Sequence, residues 1–176
     1  MGAPACTIRP CAAGDEAALT LLGQATFLEA FAGTLRGSDI FGHCTRMHSL
    51  QVYRDWLHDP GMRLWVAETV QGAAPVGYLV LSPAELPLPD LSEADAEVKR
   101  VYLLHRFQGL GLGRRLMDMA RDSARQLDRR RLLLGVYAQN LAAIGFYQKL
   151  GYRPVGTRTF RVGDTDCQDL ILGLAL

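Results

Sequence analysis

The sequence predicts a single α/β domain, residues 1–176, whose mixed, mostly antiparallel sheet is flanked by helices. Its composition, 49% hydrophobic and 21% charged, is typical of one globular domain with a sizeable core. Short apolar segments with strand character alternate with segments of helical periodicity. Hairpin-like turns favour antiparallel neighbours, whereas one strand–helix–strand passage, at 96–137, favours a parallel pair.

The first third of the chain is predicted to be largely helical. A strand at 7–9 ends at a proline, and a helix rich in Ala and Leu follows at about 15–31. Residues 33–48 carry scattered Gly, Ser and His and are predicted to be irregular. A second helix at 49–58 stops before an Asp-Pro-Gly turn, and residues 1–5 are expected to form a short flexible tail.

The rest of the chain is predicted to alternate strands and helices. Strands are expected at 63–68, 75–81, 96–104, 131–137, 153–161 and 166–174, and helices at 111–127 and 140–150. A loop with three prolines, 82–95, separates the third strand from the fourth. The predicted order is therefore β-α-α-β-β-β-α-β-α-β-β.

Charge is balanced overall but unevenly distributed. The net charge of +1 does not favour a nucleic-acid partner. Ten of the 19 Lys and Arg nevertheless lie within 99–131, directly after a segment, 85–97, with five acids and no base. The four cysteines form no C-x-x-C pair, and the His and Cys residues at 43–48 lack a fourth zinc ligand. We expect a cytoplasmic protein without disulfides, a metal site or a membrane-spanning segment.

The most informative motif is the glycine-rich segment Gln-Gly-Leu-Gly-Leu-Gly at 108–113. Glycines let backbone N–H groups approach an anion closely, and N–H groups at a helix start carry partial positive charge. A pyrophosphate suits both features, but such a loop alone is a weak signal, and a tight turn that lets helix and strand pack closely is the plainer explanation of the glycines. No Gly-Lys-Ser or Gly-Lys-Thr occurs, which excludes a P-loop, and three preceding strands argue against a dinucleotide-binding fold.

Two motifs together resemble the GNAT superfamily of acetyltransferases. The family's [QR]-x-x-G-x-[GA] loop matches at Gln108, Gly111 and Gly113. Its later strand–Asn–helix–Tyr element matches at Asn140 and Tyr147, seven residues apart. The resemblance is strongest around these motifs and extends more faintly over nearly the whole chain.

Three further segments resemble the PaiA-like polyamine acetyltransferase branch, namely 97–102, 107–109 and 163–171. For the fold, the resemblance implies a GNAT-type mixed sheet in which the strand before the loop splays from its parallel neighbour. It also implies acetyl-CoA as the co-substrate and no metal.

The resemblance further implies where the donor binds. The pantetheine arm would lie in the splayed gap, the pyrophosphate on the loop amides, and two cations near the outer phosphates. The implied contacts are Val101, Tyr102 and Leu103 on the strand, Gln108, Gly109, Leu110, Gly111, Leu112, Gly113 and Arg114 on the loop, and Asn140 and Lys149 beyond it.

The implied chemistry is direct transfer of the acetyl group to a neutral amine. Backbone N–H near Leu103 would stabilise the oxyanion, and Tyr147, with a reference pKa of about 10, would protonate the departing thiolate. Some relatives carry a carboxylate five residues before the Asn, but that position is Gly135 in this chain. Glu97 is then the candidate base, acting through ordered water.

Each of these residues also has a plainer structural interpretation. Tyr147 suits packing on an amphipathic helix, Asn140 suits a helix cap, and Glu97 suits a solvated strand edge. Arg114 shares a helical face with other arginines, and such a face is usually solvated. Lys149 is a candidate phosphate contact by position alone.

The acetyl acceptor is the least determined feature. The leading hypothesis is a primary amine of a small molecule, with a polyamine favoured because the acids of 85–97 would attract a polycation. A surface loop explains those acids equally well. A protein amine as acceptor and a non-catalytic acyl-CoA sensor stay open as alternatives, and nucleic-acid binding is weaker. The acceptor pocket is expected from 27–62 and 82–95, and homodimers are common in the family.

Overall fold

The computed structural model describes residues 4–176, which form a seven-stranded sheet packed between helices. The strands are β1 (Cys6–Pro10), β2 (Arg63–Thr69), β3 (Pro75–Pro83), β4 (Asp95–Leu103), β5 (Arg131–Tyr137), β6 (Arg153–Val162) and β7 (Thr165–Ala175). The helices are α1 (Glu16–Phe31), α2 (Gly37–Met47), α3 (Leu50–His58), α4 (Leu112–Gln126) and α5 (Leu141–Lys149). Of the expected flexible tail, residues 1–3 lie outside the described range. Within residues 4–176, no helix combines the length and apolar character needed to cross a membrane.

The sheet has the strand order β1-β2-β3-β4-β5-β7-β6, and every neighbouring pair is antiparallel except β4 and β5. These two strands pair only at 95–97 with 131–133. Beyond that point β4 continues on β3 and β5 continues on β7, which leaves a V-shaped opening between 98–103 and 134–137. We call this opening the splayed gap. The predicted mixed, mostly antiparallel sheet with one splayed parallel pair is confirmed.

A β-bulge lies in β4 where the gap opens. The adjacent residues Val80 and Leu81 of β3 lie opposite Arg100 and Val98, so Lys99 is an extra residue in β4. A bulge of this kind bends its strand and increases the local twist. The position of Lys99 therefore accounts for the divergence of β4 from β5.

Two hydrophobic layers cover the sheet. On one face, α4 and α5 pack against the strands in a buried cluster that includes Leu79, Leu116 and Leu134. On the other face, α1 and α3 pack in a cluster that includes Leu22 and Val80. The adjacent residues Leu79 and Val80 thus point to opposite faces, as the alternation of a strand requires. We call the two sides the α4–α5 face and the α1–α3 face.

The prediction that 33–48 is irregular is wrong, because Gly37–Met47 forms helix α2. The segment has few apolar residues, so its helical period is weak in the sequence. Its buried residue Ile40 and half-buried Cys44 pack in one cluster with Phe27 of α1. Tertiary packing of one face therefore stabilises this helix more than its own propensity does. Three helices, not two, lie between β1 and β2.

Candidate active site

The glycine-rich segment forms a loop whose backbone N–H groups are uncommitted. Among residues 4–176, no oxygen accepts a hydrogen bond from the N–H groups of 109–114. Gly109 and Gly111 have φ of 76° and 79°, a left-handed conformation that glycine adopts without strain. Helix α4 begins directly afterwards at Leu112, with no side-chain cap. A run of free amides at a helix N-terminus is a site for an anion such as a diphosphate.

The loop is held against the ends of β4 and α5. The side-chain Nε2 of Gln108 donates to the carbonyl oxygen of Leu103 at 3.2 Å. A Cβ added to Gly113 would lie 3.4 Å from Cζ of Phe146 and 3.5 Å from Cδ1 of Leu103. The free amides therefore lie where β4 ends, at the open end of the splayed gap.

Strand β4 presents the peptide groups of alternate residues to the gap. The N–H of Leu104 donates to the carbonyl oxygen of Val76 at 2.9 Å, which makes Leu103 a non-hydrogen-bonded position of the β3–β4 ladder. By alternation, the main chains of Leu103 and Val101 are directed away from β3 and toward the gap. The same alternation commits the main chain of Tyr102 to β3. The backbone of Tyr102 therefore does not line the gap.

The facing strand β5 has a matching edge. The N–H of Ala138 donates to the carbonyl oxygen of Gln168 at 2.9 Å, so the peptide groups of Tyr137 and Gly135 are directed away from β7 and toward the gap. Both sides of the gap therefore offer backbone groups. A bound chain that carries amides of its own can pair with such an edge as an added strand does.

Tyr147 lies on α5 with its ring in the core of the α4–α5 face. It is 8% exposed, and its ring centroid lies 5.2 Å from that of Phe146 and 5.9 Å from that of Tyr152. Its hydroxyl has no hydrogen-bond partner in the described part of the chain and, unlike the hydroxyl of Tyr152, is not sealed from solvent. Burial raises the pKa of Tyr147 above its ordinary value, and Tyr102 adds to the effect. A neutral, uncommitted phenol can donate a proton to a ligand.

Three predicted contacts surround the loop and α5. Asn140 caps α5, because its Oδ1 accepts a hydrogen bond from the N–H of Ala143 at 3.0 Å. Its side-chain nitrogen has no partner within residues 4–176. Arg114 is exposed, with Nε 4.0 Å from a carboxylate oxygen of Asp118, and Lys149 is exposed. Both cations can therefore approach a bound anion from solvent.

Glu97 lies at the closed end of the gap. It is 4% exposed, so the interpretation as a solvated strand edge is wrong. One carboxylate oxygen, Oε2, accepts a hydrogen bond from the N–H of Glu85 at 3.0 Å, whereas Oε1 has no partner in the described range. Its neighbour across the sheet, Leu133, is the last paired residue before the strands diverge. Glu97 therefore borders the gap from its narrow end.

An ion pair that we did not predict from the sequence lies on β6 and β7. Arg158 on β6 donates from Nε to Oδ2 of Asp169 on β7 at 3.0 Å, and Asp169 is 5% exposed. The guanidinium lies over Gly135, the position where some relatives carry a carboxylate. Burial raises the pKa of Asp169, and Arg158 opposes that effect. The available signal was Gly135 itself, because an isolated glycine in an apolar strand often marks a close approach.

His43 and His48 are buried, and His48 belongs to a hydrogen-bonded network with Tyr53 and Arg100. His48 Nδ1 lies 2.9 Å from the hydroxyl oxygen of Tyr53, which also accepts a hydrogen bond from Nη1 of Arg100 at 2.9 Å. Burial, followed by the charge of Arg100, lowers the pKa of His48 to about 2 and that of His43 to about 4. Both histidines are therefore neutral at physiological pH. No group of three or more His, Cys, Asp or Glu within residues 4–176 is arranged to hold a metal ion.

The acidic and basic segments of the sequence pair with each other. Asp90 and Asp95 each lie 2.8 Å from a guanidinium nitrogen of Arg131. Glu85 lies 2.6 Å from Nζ of Lys99. Three of the five acids in the segment are therefore neutralised within the fold, and the attraction that the segment would exert on a polycation is reduced.

Comparison with known proteins identifies the family. The sequence model of the acetyltransferase (GNAT) family matches residues 29–152. An uncharacterised N-acetyltransferase of Mycobacterium tuberculosis is 30% identical over 120 residues, which cover 68% of this chain and 71% of that protein. Another, of Lactobacillus delbrueckii subsp. lactis, is 32% identical over 100 residues, which cover 57% of this chain and 58% of that protein. The chain thus spans less than two thirds of the Lactobacillus protein.

A solved structure shares the fold. The PaiA N-acetyltransferase of Thermoplasma acidophilum, in complex with coenzyme A, superimposes with a TM-score of 0.76 over 98% of this chain and 99% of that one. At 18% identity the likeness concerns the fold alone. The family match, in contrast, covers most of the chain, including the loop and both strands of the gap. The protein therefore belongs to the GNAT acetyltransferase family and is an acyltransferase that uses acetyl-CoA as its co-substrate.

Proposed function

We propose that this enzyme moves the acetyl group of acetyl-CoA directly to a primary amine of a small molecule. The observation that carries the proposal is the run of uncommitted amides at 109–114, which lies at the open end of the splayed gap. Tyr147 supplies an uncommitted phenol on the α4–α5 face of the same region. These two features suit a donor that carries a diphosphate at one end and a thioester at the other.

The donor's phosphates bind at the loop in this proposal. The amides of 109–114 donate to the diphosphate, and the exposed cations Arg114 and Lys149 approach the outer phosphates. Gln108 acts indirectly, since its hydrogen bond to Leu103 fixes the loop relative to β4.

The pantetheine arm then enters the gap. The main chains of Val101 and Leu103 pair with its amides, and the free side-chain nitrogen of Asn140 donates to it. Tyr102 takes no part through its backbone, but its side chain lies on the α1–α3 face, where the acceptor approaches. The arm thereby runs from the loop toward the closed end and brings the thioester toward Val101.

The reaction is a direct displacement at the acetyl carbon. The neutral amine nitrogen bonds to that carbon, N–H of Val101 or Leu103 stabilises the oxyanion, and the carbon–sulfur bond then breaks. Tyr147 gives its proton to the departing thiolate and regains one from solvent. The proton that leaves the nitrogen passes through water to Glu97, which acts as the general base.

For the acceptor we propose only its chemical class, a primary amine. A polyamine is the acceptor that the sequence favours, and a fold shared with a PaiA acetyltransferase is compatible with it. The segment 85–97 attracts a polycation only weakly, however, because Glu85, Asp90 and Asp95 are already paired with cations. Spermidine therefore belongs in an assay panel beside other amines and a lysine-containing peptide.

Replacing Tyr147 with phenylalanine tests the proposal. We expect Tyr147→Phe to lower kcat by roughly 10²- to 10⁴-fold, the usual contribution of a general acid, while the Kd of acetyl-CoA measured by calorimetry changes little. Tyr152→Phe is the matched control, because its hydroxyl is enclosed and has no partner among the described residues. Wild-type turnover in Tyr147→Phe would remove the phenol from the mechanism. A wild-type enzyme that binds acetyl-CoA but acetylates no amine would indicate a sensor.

A further inference from the structure

A side chain from β6 occupies the space that Gly135 leaves beside the splayed gap. A Cβ added to Gly135 would lie 2.6 Å from Nη2, 2.8 Å from Cζ and 3.0 Å from Nε of Arg158. The guanidinium therefore packs flat against the glycine. Because the peptide groups of Gly135 face the gap, Arg158 lies at its rim.

Arg158 is fixed by two contacts but keeps donors uncommitted. Its Nε donates to Oδ2 of Asp169 at 3.0 Å, and its Cζ lies 5.1 Å from the ring centroid of Phe160. Its Nη1 and Nη2 donate to no residue within 4–176, and neither atom is sealed from solvent. The side chain is 25% exposed. Two free nitrogens of a planar guanidinium form the pair of donors that a carboxylate binds in bidentate fashion.

The sheet register places this ion pair beside the wide part of the gap. Glu97 lies opposite Leu133 at the last paired position. Tyr137 lies four residues beyond Leu133 on β5. Tyr102 lies five residues beyond Glu97 on β4, and one of those five is the bulged Lys99, so Tyr137 and Tyr102 are level across the gap. Asp169 is the partner of Tyr137 on β7. The ion pair thus lies across the gap from Tyr102.

The acceptor reaches the gap from the side on which Arg158 lies. The α4–α5 face is filled by a packed core that includes Leu134, Val136 and Tyr147. Phe160, two residues after Arg158 and therefore on the same face of β6, packs instead against the cluster of α1 and α2. On β5, Gly135 and Tyr137 of the α1–α3 side are half-buried, whereas Leu134 and Val136 of the other side are buried. The α1–α3 face is thus the more open side of the gap, and Arg158 is a cation on it with unpaired donors.

We propose that Arg158 binds a carboxylate of the acetyl acceptor, so that the substrates of this enzyme are amino acids. The inference deepens the proposed function and rests on it. The bidentate contact holds the carboxylate at the rim and leaves the substrate's amine to enter the gap toward the acetyl carbon. Asp169 is a positioning residue, because its bond to Nε sets the plane of the guanidinium. A polyamine has no carboxylate and gains nothing from this contact.

Substrate pairs that differ only by a carboxylate test the inference. The pairs are lysine and 1,5-diaminopentane, ornithine and 1,4-diaminobutane, and phenylalanine and phenethylamine, with kcat/KM measured from thiol release. We expect the amino acid of at least one pair to be preferred by about 10- to 100-fold, the range for a hydrogen bond to a charged group. Arg158→Gln should abolish that preference mainly through KM, with a far larger loss of kcat/KM for the amino acid than for its decarboxylated partner, and Arg158→Lys should restore part of it. Arg161→Gln is the control, because Arg161 lies on the same strand, is exposed and pairs with Asp164 and Asp166.

The results that would overturn the role of Arg158 differ from the result that would overturn the proposed acetyltransferase function. Decarboxylated amines used as well as the amino acids would overturn the inference and leave the proposed function intact. An equal loss for both members of each pair in Arg158→Gln would assign Arg158 a structural role and also overturn it. If the wild type binds acetyl-CoA in calorimetry but acetylates no member of the panel, the proposed function fails and the inference fails with it.

Discussion

Replacing Gly135 with alanine should displace Arg158 and weaken both the fold and the selection of the acceptor. An added Cβ would lie within 3.0 Å of three atoms of the guanidinium. Contacts this short force a shift, and the flexible side chain of Arg158 moves more readily than the strand. The shift separates Nε from Oδ2 of Asp169, which are 3.0 Å apart in the structure.

The expected loss of stability follows from the burial of the two charges. Breaking a fully buried ion pair costs about 3–5 kcal/mol, because one charge is left without a partner. Asp169 is 5% exposed, but the side chain of Arg158 is 25% exposed and can turn to water. We therefore expect a loss of about 2 kcal/mol, near the middle of the range for an unsatisfied buried group. For a chain of this length that loss lowers Tm by roughly 4–8 °C.

Differential scanning calorimetry of two glycine variants measures this effect. Gly145→Ala is the matched control, because its added Cβ meets nothing within 4 Å in the interior of α5. Alanine is favoured over glycine in a helix by about 1 kcal/mol, so Gly145→Ala should raise Tm. Gly135→Ala should lower Tm and also lose the preference for amino acids. A Tm and a substrate preference equal to those of the wild type would show that Arg158 does not lie over Gly135.

Two further substitutions test the packing of α1 and α2. Gly23→Ala should lower the free energy of unfolding, measured by urea denaturation, by about 1–3 kcal/mol, because the added Cβ would overlap the hydroxyl of Tyr53 and Nδ1 of His48. An unfolding free energy equal to that of the wild type would contradict the close approach of α1 to this network. The pKa of His43 is lowered to about 4, so between about pH 6.5 and 4 the unfolded chain binds a proton that the folded protein does not, and stability falls as the pH falls. His43→Phe should reduce that dependence, and a slope of stability against pH equal to that of the wild type would contradict the assignment.

The parts of the fold that depend on local sequence were predictable. The glycine-rich loop, the start of α4 and the Asn140 cap follow from residue types and spacing that act within a single turn. The parallel pairing of β4 and β5 follows from the strand–helix–strand passage. Helix α2 was missed because its stability comes from contacts with α1 and the sheet, and its own composition carries little helical signal.

The candidate site was predictable only in part, for a related reason. The loop and Tyr147 belong to sequence motifs, so their positions could be named from residue spacing. The face on which Tyr102 lies depends on the β-bulge at Lys99, and no residue type in this segment predicts a bulge. The Arg158–Asp169 pair depends on the register of three strands, and the residues that meet there are far apart in the sequence. The absence of a carboxylate at Gly135 suggested a missing group but did not show what replaces it.

A crystal structure of the enzyme with bound acetyl-CoA is the most direct test of how the donor is held. We expect diphosphate oxygens at about 2.7–3.2 Å from the amide nitrogens of residues 109–114, with the hydroxyl of Tyr147 directed at the sulfur. A diphosphate bound away from that loop, or a Tyr147 hydroxyl turned from the thioester, would contradict it.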